Sequence, residues 1–303
     1  MGKGLLDIES LARSDAEAIL ERAKFFQPPP GEPYARHQLL QGRSIVNLFF
    51  EASTRTRTSF EIAGRRLGAE IISITASGSS VSKGESLVDT LNTLGAMRPD
   101  AIVMRHAASG APHFLSRYLP IPIVNAGDGL HEHPTQALLD ALTILDRRKT
   151  LEGLRVAIIG DIAHSRVARS NIFLLSKFGA QIVLCGPASL LPREIAHIAS
   201  GIELTTDMEK AIKDVDVIMM LRVQLERQHE AAFPANEYFR FFGLRIEHMK
   251  LAKPDVIVMH PGPMNRGQEI SSEVADSQSS AILNQVGNGI AVRMAVLERV
   301  FAA

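Results

Sequence analysis

Short apolar runs recur along this chain, and between them apolar residues fall at every third or fourth position. Ile45 to Phe50, Ile71 to Thr75, Ala101 to Arg105 and Ile121 to Asn125 read as strands. The spacing between them predicts helices over Arg57 to Leu67, Ser86 to Met97 and Ala111 to Tyr118. In the first of these, Phe60, Ile62, Ala63 and Leu67 are expected to point inward. An earlier helix over Ile8 to Phe26 ends at the breaker Pro28-Pro29-Pro30-Gly31, and a long one over Pro134 to Leu145 opens on a helix-compatible proline. A second series follows, with strands at Val156 to Ile159, Ile182 to Cys185, Val215 to Leu221 and Asp255 to His260. Helices are expected there over Arg166 to Phe178, Pro192 to Ala199, Asp207 to Lys213 and, last, Gly289 to Phe301.

Strands that alternate with helices imply parallel sheets covered on both faces. The expected fold is therefore α/β, in two domains, each a parallel sheet flanked by helices. The polar turn from Asp146 to Thr150 is the expected junction, giving domains over 1–148 and 149–286, with the C-terminal helix 287–303 returning to the first. A chain of 303 residues suits two such domains.

Composition narrows the partners. Formal net charge is zero, so no overall field draws the protein to nucleic acid or to an anionic membrane. No apolar run has the length of a membrane span, and the start lacks the apolar core of a signal peptide. One cysteine, Cys185, can form neither an intrachain disulfide nor a cysteine-based metal site, which suits a cytoplasmic setting.

In open parallel sheets, ligands bind beyond the carboxyl ends of the strands, so the polar residues that trail each strand carry the chemistry. After the first strand come Ser53-Thr54-Arg55-Thr56, with Ser53 or Thr54 at a helix N-cap. Helix amides and the positive end of the dipole attract a phosphate there, and Arg55 adds a planar fork for two of its oxygens. An N-cap on a basic surface helix is the plainer reading. Ser79-Ser80-Val81-Ser82-Lys83-Gly84-Glu85 has its lysine before its glycine, the wrong order for an ATP phosphate loop. It reads as a hydroxyl-rich loop carrying one lysine, or as solvated surface. Arg105, at a strand end, either emerges into water or serves an anion or oxyanion.

His131-Glu132-His133-Pro134-Thr135-Gln136 offers two histidines without a carboxylate or cysteine partner at ligand spacing, a poor zinc set. His133 as a neutral donor to a carbonyl, with Gln136 binding an amide, is better chemistry. Gly160-Asp161-Ile162-Ala163-His164-Ser165-Arg166 lacks the dinucleotide fingerprint, so no nicotinamide cofactor is expected. Arg166 at a helix start and Arg222 with Gln224 after another strand suit a dicarboxylate. His260-Pro261-Gly262-Pro263 is a rigid turn whose carbonyls can accept from an NH2 group.

Taken in order, these segments resemble the carbamoyltransferase family over nearly the whole chain, from Phe49 to the last helix. Ser-Thr-Arg-Thr-Arg and His-Pro-Thr-Gln are signatures of the family as a whole. Ser79 with Lys83-Gly84-Glu85, and Arg222-Val223-Gln224, mark its aspartate branch. The ornithine branch usually has a His-Cys-Leu-Pro turn and an acidic ornithine site, whereas this chain has His260-Pro261-Gly262-Pro263 and basic Arg166 and Arg222.

The resemblance implies transfer of the carbamoyl group of carbamoyl phosphate to L-aspartate in pyrimidine synthesis, with no cofactor and no metal. It implies that Ser53, Thr54, Arg55, Thr56 and Arg105 hold the phosphate, and that Thr56, Arg105 and His133 address the carbonyl oxygen. Gln136, with Pro261, Gly262 and the adjoining Pro263, would hold the carbamoyl NH2, and Arg166, Arg222 and Gln224 the aspartate carboxylates. Ser79 and Lys83 would come from the neighbouring subunit of a homotrimer, with Lys83 serving aspartate and phosphate. Glu51 would link closed domains through Arg166 and Arg227. Regulatory chains or dihydroorotase are the larger assemblies such trimers join. Val167 stands where some members carry a threonine, which removes at most one hydrogen bond of about 0.5–1.5 kcal/mol.

Overall fold

The computed structural model describes residues 4–75, 87–223 and 235–302. The chain forms two units, Met1–Leu142 with Gly287–Ala303, and Thr143–Val286. In the first, α1 (Arg13–Phe26) precedes β1 (Ser44–Phe49), α2 (Thr54–Arg66), β2 (Glu70–Thr75), α3 (Leu87–Ala96), β3 (Ala101–His106), α4 (Ala111–Ser116), β4 (Ile123–Asp128) and α5 (Pro134–Arg148). All four strands are parallel, in the order β2-β1-β3-β4, with Leu48 opposite both Ile74 and Met104. Leu5 extends the edge beside β4, where its N–H donates to the Ile123 carbonyl at 3.0 Å. Val46, Leu48, Ile102 and Met104 pack with Leu94 of α3 and Leu115 of α4 in one core.

The second unit contains β5 (Arg155–Ile159), α6 (Arg166–Lys177), β6 (Gln181–Cys185), β7 (Ile202–Thr205), α7 (Met208–Ile212), β8 (Val217–Met220), α8 (Ala235–Phe242), β9 (Ile257–Met259) and α9 (Ser272–Ala275). Its parallel sheet runs β7-β6-β5-β8-β9. Strands β5, β6, β8 and β9 are almost wholly buried, as the continuous apolar runs require of a sheet covered on both faces. Helix α10 (Ile282–Phe301) closes the chain. Its later residues belong to the first unit, where Glu298 receives two bonds from Arg22 of α1 and Arg299 pairs with Asp15.

Several elements differ from their expected form. Helix α1 begins at Arg13 rather than Ile8, because the N–H groups of Ile8 and Glu9 donate to the buried carboxylate of Glu132 at 2.9 and 3.1 Å. Ile62 is 36% exposed while Phe60, Ala63 and Leu67 are fully buried. Two residues past Phe60 is about 200° round the helix, which turns Ile62 outward. Pro192 to Ala199 yields only a short 3-10 turn, Arg193–His197. Strand β7 and helix α8 are additions to the expected set. Helix α10 begins at Ile282, not Gly289, and runs through its glycines. Among the described residues, no helix is long and apolar enough to cross a membrane.

Candidate active site

In the first sheet the chain moves outward from β1 to β2, then returns to build β3 and β4 on the other side. The connections therefore diverge between β1 and β3, the switch point where a crevice opens at the carboxyl ends. The loop after β1 and the end of β3 meet there, with Phe50 N–H donating to the Arg105 carbonyl at 2.9 Å. Helix α2 starts at that edge, with Ser53 as its N-cap. The Ser53 side chain makes no capping hydrogen bond, contrary to the expected cap. The first-turn amides of α2 have no carbonyl a turn earlier, so they and the dipole end suit an anion. Thr54 and Arg55 are exposed there and Thr56 is buried.

Arg105 is held rather than loose. Its Nε donates to Glu51 at 3.1 Å and its Nη1 to the Ala126 carbonyl at 3.4 Å. Glu51 is thus the partner of Arg105 on the same edge. The turn after β4 is held by Asp128, which accepts from Gly110 N–H at 2.6 Å, Asn125 Nδ2 at 2.8 Å and Glu132 N–H at 3.1 Å. His131 Nδ1 also faces Asp128 at 3.1 Å. Burial pushes the Asp128 carboxyl up, but these hydrogen bonds outweigh it and leave it below its ordinary range. The bond to Asp128 raises His131 above its usual value.

That turn delivers His133 to the N-terminal end of α5, where its carbonyl accepts from Gln136 N–H at 2.9 Å. Every residue from 132 to 144 is buried, so His133 and Gln136 stand on a helix packed on all sides. Gln136 Nε2 donates to Asp140 at 2.9 Å. Among the described residues, no group of three His, Cys, Asp or Glu side chains is gathered to hold a metal ion.

The second sheet repeats the logic. Its chain runs from β5 through β6 to β7, then returns to place β8 and β9 beyond β5, so the switch point lies between β5 and β8. Gly160 ends β5 at φ +139°, and a Cβ there would lie 2.9 Å from Leu221 Cβ, so only glycine lets the two strand ends close up. Arg166 opens α6 from β5 and is buried, with Ser165 capping the helix through Ala168 N–H at 3.1 Å. Arg222 follows β8, the adjacent strand. The residue after it is pinned, because Val223 N–H donates to Glu269 at 3.0 Å. Glu269 also accepts from Asn265 N–H at 2.7 Å and Nδ2 at 2.9 Å, although burial raises its carboxyl above the ordinary range. After β9, His260 N–H donates to Gln285 and Gly262 N–H to His260 Nδ1, each at 2.9 Å. Pro261, Gly262 and Pro263 form the partly exposed turn that follows, with a cis bond between the last two.

The structure therefore brings Ser53, Thr54, Arg55, Thr56, Arg105, His133 and Gln136 to strand ends of the first unit. Arg166, Arg222 and the Pro261–Pro263 turn occupy those of the second. Ser79, Lys83, Gln224 and Arg227 lie outside the described residues. Asp128, Glu132, Asp140 and Glu269 escaped the sequence reading. The usable signal for Asp140 was a carboxylate four residues beyond Gln136 on an otherwise apolar helix. Glu269 lies far from its partners in sequence and gave none.

Two parallel sheets, each with cations and helix starts at its switch point, define a protein that handles small anions. Residues 3–146 match the family described as aspartate/ornithine carbamoyltransferase, carbamoyl-P binding domain. Residues 152–300 match the companion aspartate/ornithine carbamoyltransferase, Asp/Orn binding domain. The aspartate carbamoyltransferase catalytic subunit of Solibacter usitatus is 76% identical over 300 residues, covering 99% of each chain. That of Geobacter sulfurreducens is 52% identical, over 98% of this chain and 96% of the other. Aspartate transcarbamoylase from Trypanosoma cruzi, in complex with N-(phosphonacetyl)-L-aspartic acid, superposes with a TM-score of 0.90 at 34% identity, covering 99% of this chain and 96% of that one. Ornithine carbamoyltransferase from Pyrococcus furiosus reaches 0.87 at 32% identity, covering 98% and 96%. The chain belongs to the aspartate/ornithine carbamoyltransferase family.

Proposed function

We propose that this chain transfers the carbamoyl group of carbamoyl phosphate to the amine of L-aspartate, giving N-carbamoyl-L-aspartate and phosphate for pyrimidine synthesis. The observation that carries the choice of acceptor is the pair Arg166 and Arg222, set at the ends of adjacent strands β5 and β8. Two guanidinium groups at one switch point favour a dicarboxylate over ornithine, whose side chain is a cation. Gln224 joins them in this reading.

Ser53, Thr54, Arg55 and Thr56, with the α2 amides and Arg105, receive the phosphate. Thr56, Arg105 and His133 donate to the carbamoyl oxygen. Gln136 and the carbonyls of the Pro261–Pro263 turn accept from the carbamoyl NH2. As the amine attacks, a C–N bond forms and the oxygen gains negative charge, which preorganised donors stabilise. The C–O bond to phosphate then breaks, and the leaving phosphate, already neutralised by arginines, takes the amine's proton. No cofactor is required by these steps.

A homotrimer completes each site in this reading, with Ser79 and Lys83 supplied by the neighbouring subunit, in a cytoplasmic setting. Such trimers could stand alone or join regulatory chains or dihydroorotase.

Phosphate release from carbamoyl phosphate, measured with a panel of amino acids, tests the proposal. Release that depends on aspartate supports it. Release with ornithine or another amine in aspartate's place overturns the acceptor, and none with any amine overturns the enzymatic reading.

A further inference from the structure

The polar chain behind Gln136 reaches deep into the first unit. Asp140 is fully buried one turn along α5, and its carboxylate accepts from Gln136 Nε2 at 2.9 Å. A carboxylate oxygen offers only lone pairs, so it dictates which end of the Gln136 amide turns towards it. The NH2 end is committed to Asp140, and the carbonyl oxygen becomes the end presented elsewhere.

A buried carboxylate is costly unless it is hydrogen-bonded and balanced by a cation. Arg293 of α10 supplies one. Its guanidinium is buried, lies 5.1 Å over the Phe60 ring and donates to the Gly289 carbonyl at 3.0 Å. A Cβ at Gly289 would come within 2.5 Å of Arg293 Nη1, so the glycine within α10 makes room for this cation. Burial, helped by Arg105 and opposed by Asp140, lowers the Arg293 pKa to about 9. Arg293 thus remains a cation at neutral pH, within electrostatic reach of both Asp140 and Arg105.

We propose that Asp140 is a positioning residue for the reaction, fixing the Gln136 amide so that its oxygen, not its NH2, meets the carbamoyl NH2. The inference rests on the reading of Gln136 as the acceptor for that group. Were the amide reversed, two NH2 groups would face each other and the substrate would lose an acceptor. Asp140 touches no substrate in this arrangement; it acts through Gln136.

Asp140→Asn removes the constraint, because an asparagine amide can bond Gln136 in either orientation. The expected result is a loss of about tenfold in kcat/KM for carbamoyl phosphate. Competitive inhibition by inorganic phosphate, which has no NH2 group, should change by less than about twofold. In a Gln136→Ala background, Asp140→Asn should add almost nothing. Parallel weakening of phosphate, or a full additional loss in that background, would show a general structural role and overturn the proposal. So would an unaltered Asp140→Asn enzyme beside an impaired Gln136→Ala.

A charge exchange covers the case in which Asp140→Asn alone fails to fold. Gln136→Glu places two carboxylates together and should be strongly impaired. Gln136→Glu with Asp140→Asn restores a donor to the buried position and an acceptor to the substrate side, so activity should recover well above Gln136→Glu alone. No recovery overturns the proposal. If Gln136→Ala leaves kcat/KM for carbamoyl phosphate intact, the role of Gln136 fails and this inference with it, while the amine-panel assay still judges the overall reaction.

Discussion

At the scale of single residues, the site is built by carboxylates that hold cations and loops in place. Glu51 holds Arg105, and Asp128 gathers three donors and a histidine at the turn before His133. The Asp128–His131 pair gives the fold a testable pH dependence. His131 is raised above its ordinary 6.5 by its bond to Asp128, against the effect of burial, with Glu132 and Asp7 adding to the rise. His113 lies against its ring at 5.4 Å and itself faces Asp7. A raised histidine contributes stability that is complete below its unfolded pKa and is lost as pH rises through the folded value. Asp128 is lowered from 3.8, so its contribution is present above that value and is lost as pH falls through the folded one. Between those limits both partners are charged. His131→Asn should therefore cost roughly 1–2 kcal/mol near pH 6 and clearly less near pH 9. Thermal unfolding of both proteins at the two pH values measures it, and a deficit that does not shrink at the higher pH would refute the charged pair.

At the scale of elements, hydrophobic pattern marks strands well because a sheet covered on both faces leaves little room for polar residues. Ala101 to Met104 and Val156 to Ile159 are fully buried, and their runs stand out in the chain. Strand β7 escaped because Ile202–Thr205 is only half-buried, with a glutamate in its midst. The early start of α10 escaped because the stretch before Gly289, rich in Ser and Asn and containing Gly287, reads as a loop, whereas the helix runs through it from Ile282. The placement of Arg55, Arg105, His133 and Arg222 near strand ends was legible because each comes at or soon after an apolar run. Their supports were not, since a buried carboxylate's partners are set by the fold. Glu269 is the clearest case, joining the segment after β8 to the turn at Asn265. Glu269→Gln keeps the shape but places an NH2 group against one of three N–H donors, loosening the segment that carries Arg222. The expected outcome is a rise of about tenfold in KM for aspartate, with KM for carbamoyl phosphate changed less than about twofold. Steady-state kinetics with each substrate varied decides it. An equal rise in both constants would mean general damage rather than loss of a positioned arginine.

At the scale of the whole molecule, both sheets place their charged residues where the strand order reverses, so one architectural rule serves two ligands. The proposed reaction adds a third contributor, Lys83, whose segment lies outside the described residues. Its sequence, Ser79 to Glu85, is rich in hydroxyls and has Val81 as its only large apolar residue. If Lys83 serves the site of a neighbouring subunit, two inactive variants must complement each other. Lys83→Ala and Arg105→Ala chains, dissociated, mixed and reassembled, should form rings in which one interface pairs an intact Lys83 with an intact Arg105. Cyclic symmetry gives each mixed trimer a single whole site, so a random equal mixture should regain about a quarter of wild-type activity. Sites built within one chain would all remain defective, and no activity would return. Mass measurement of a tagged and an untagged variant identifies the mixed rings. Mixed trimers without activity, or activity without mixed trimers, would overturn the shared site.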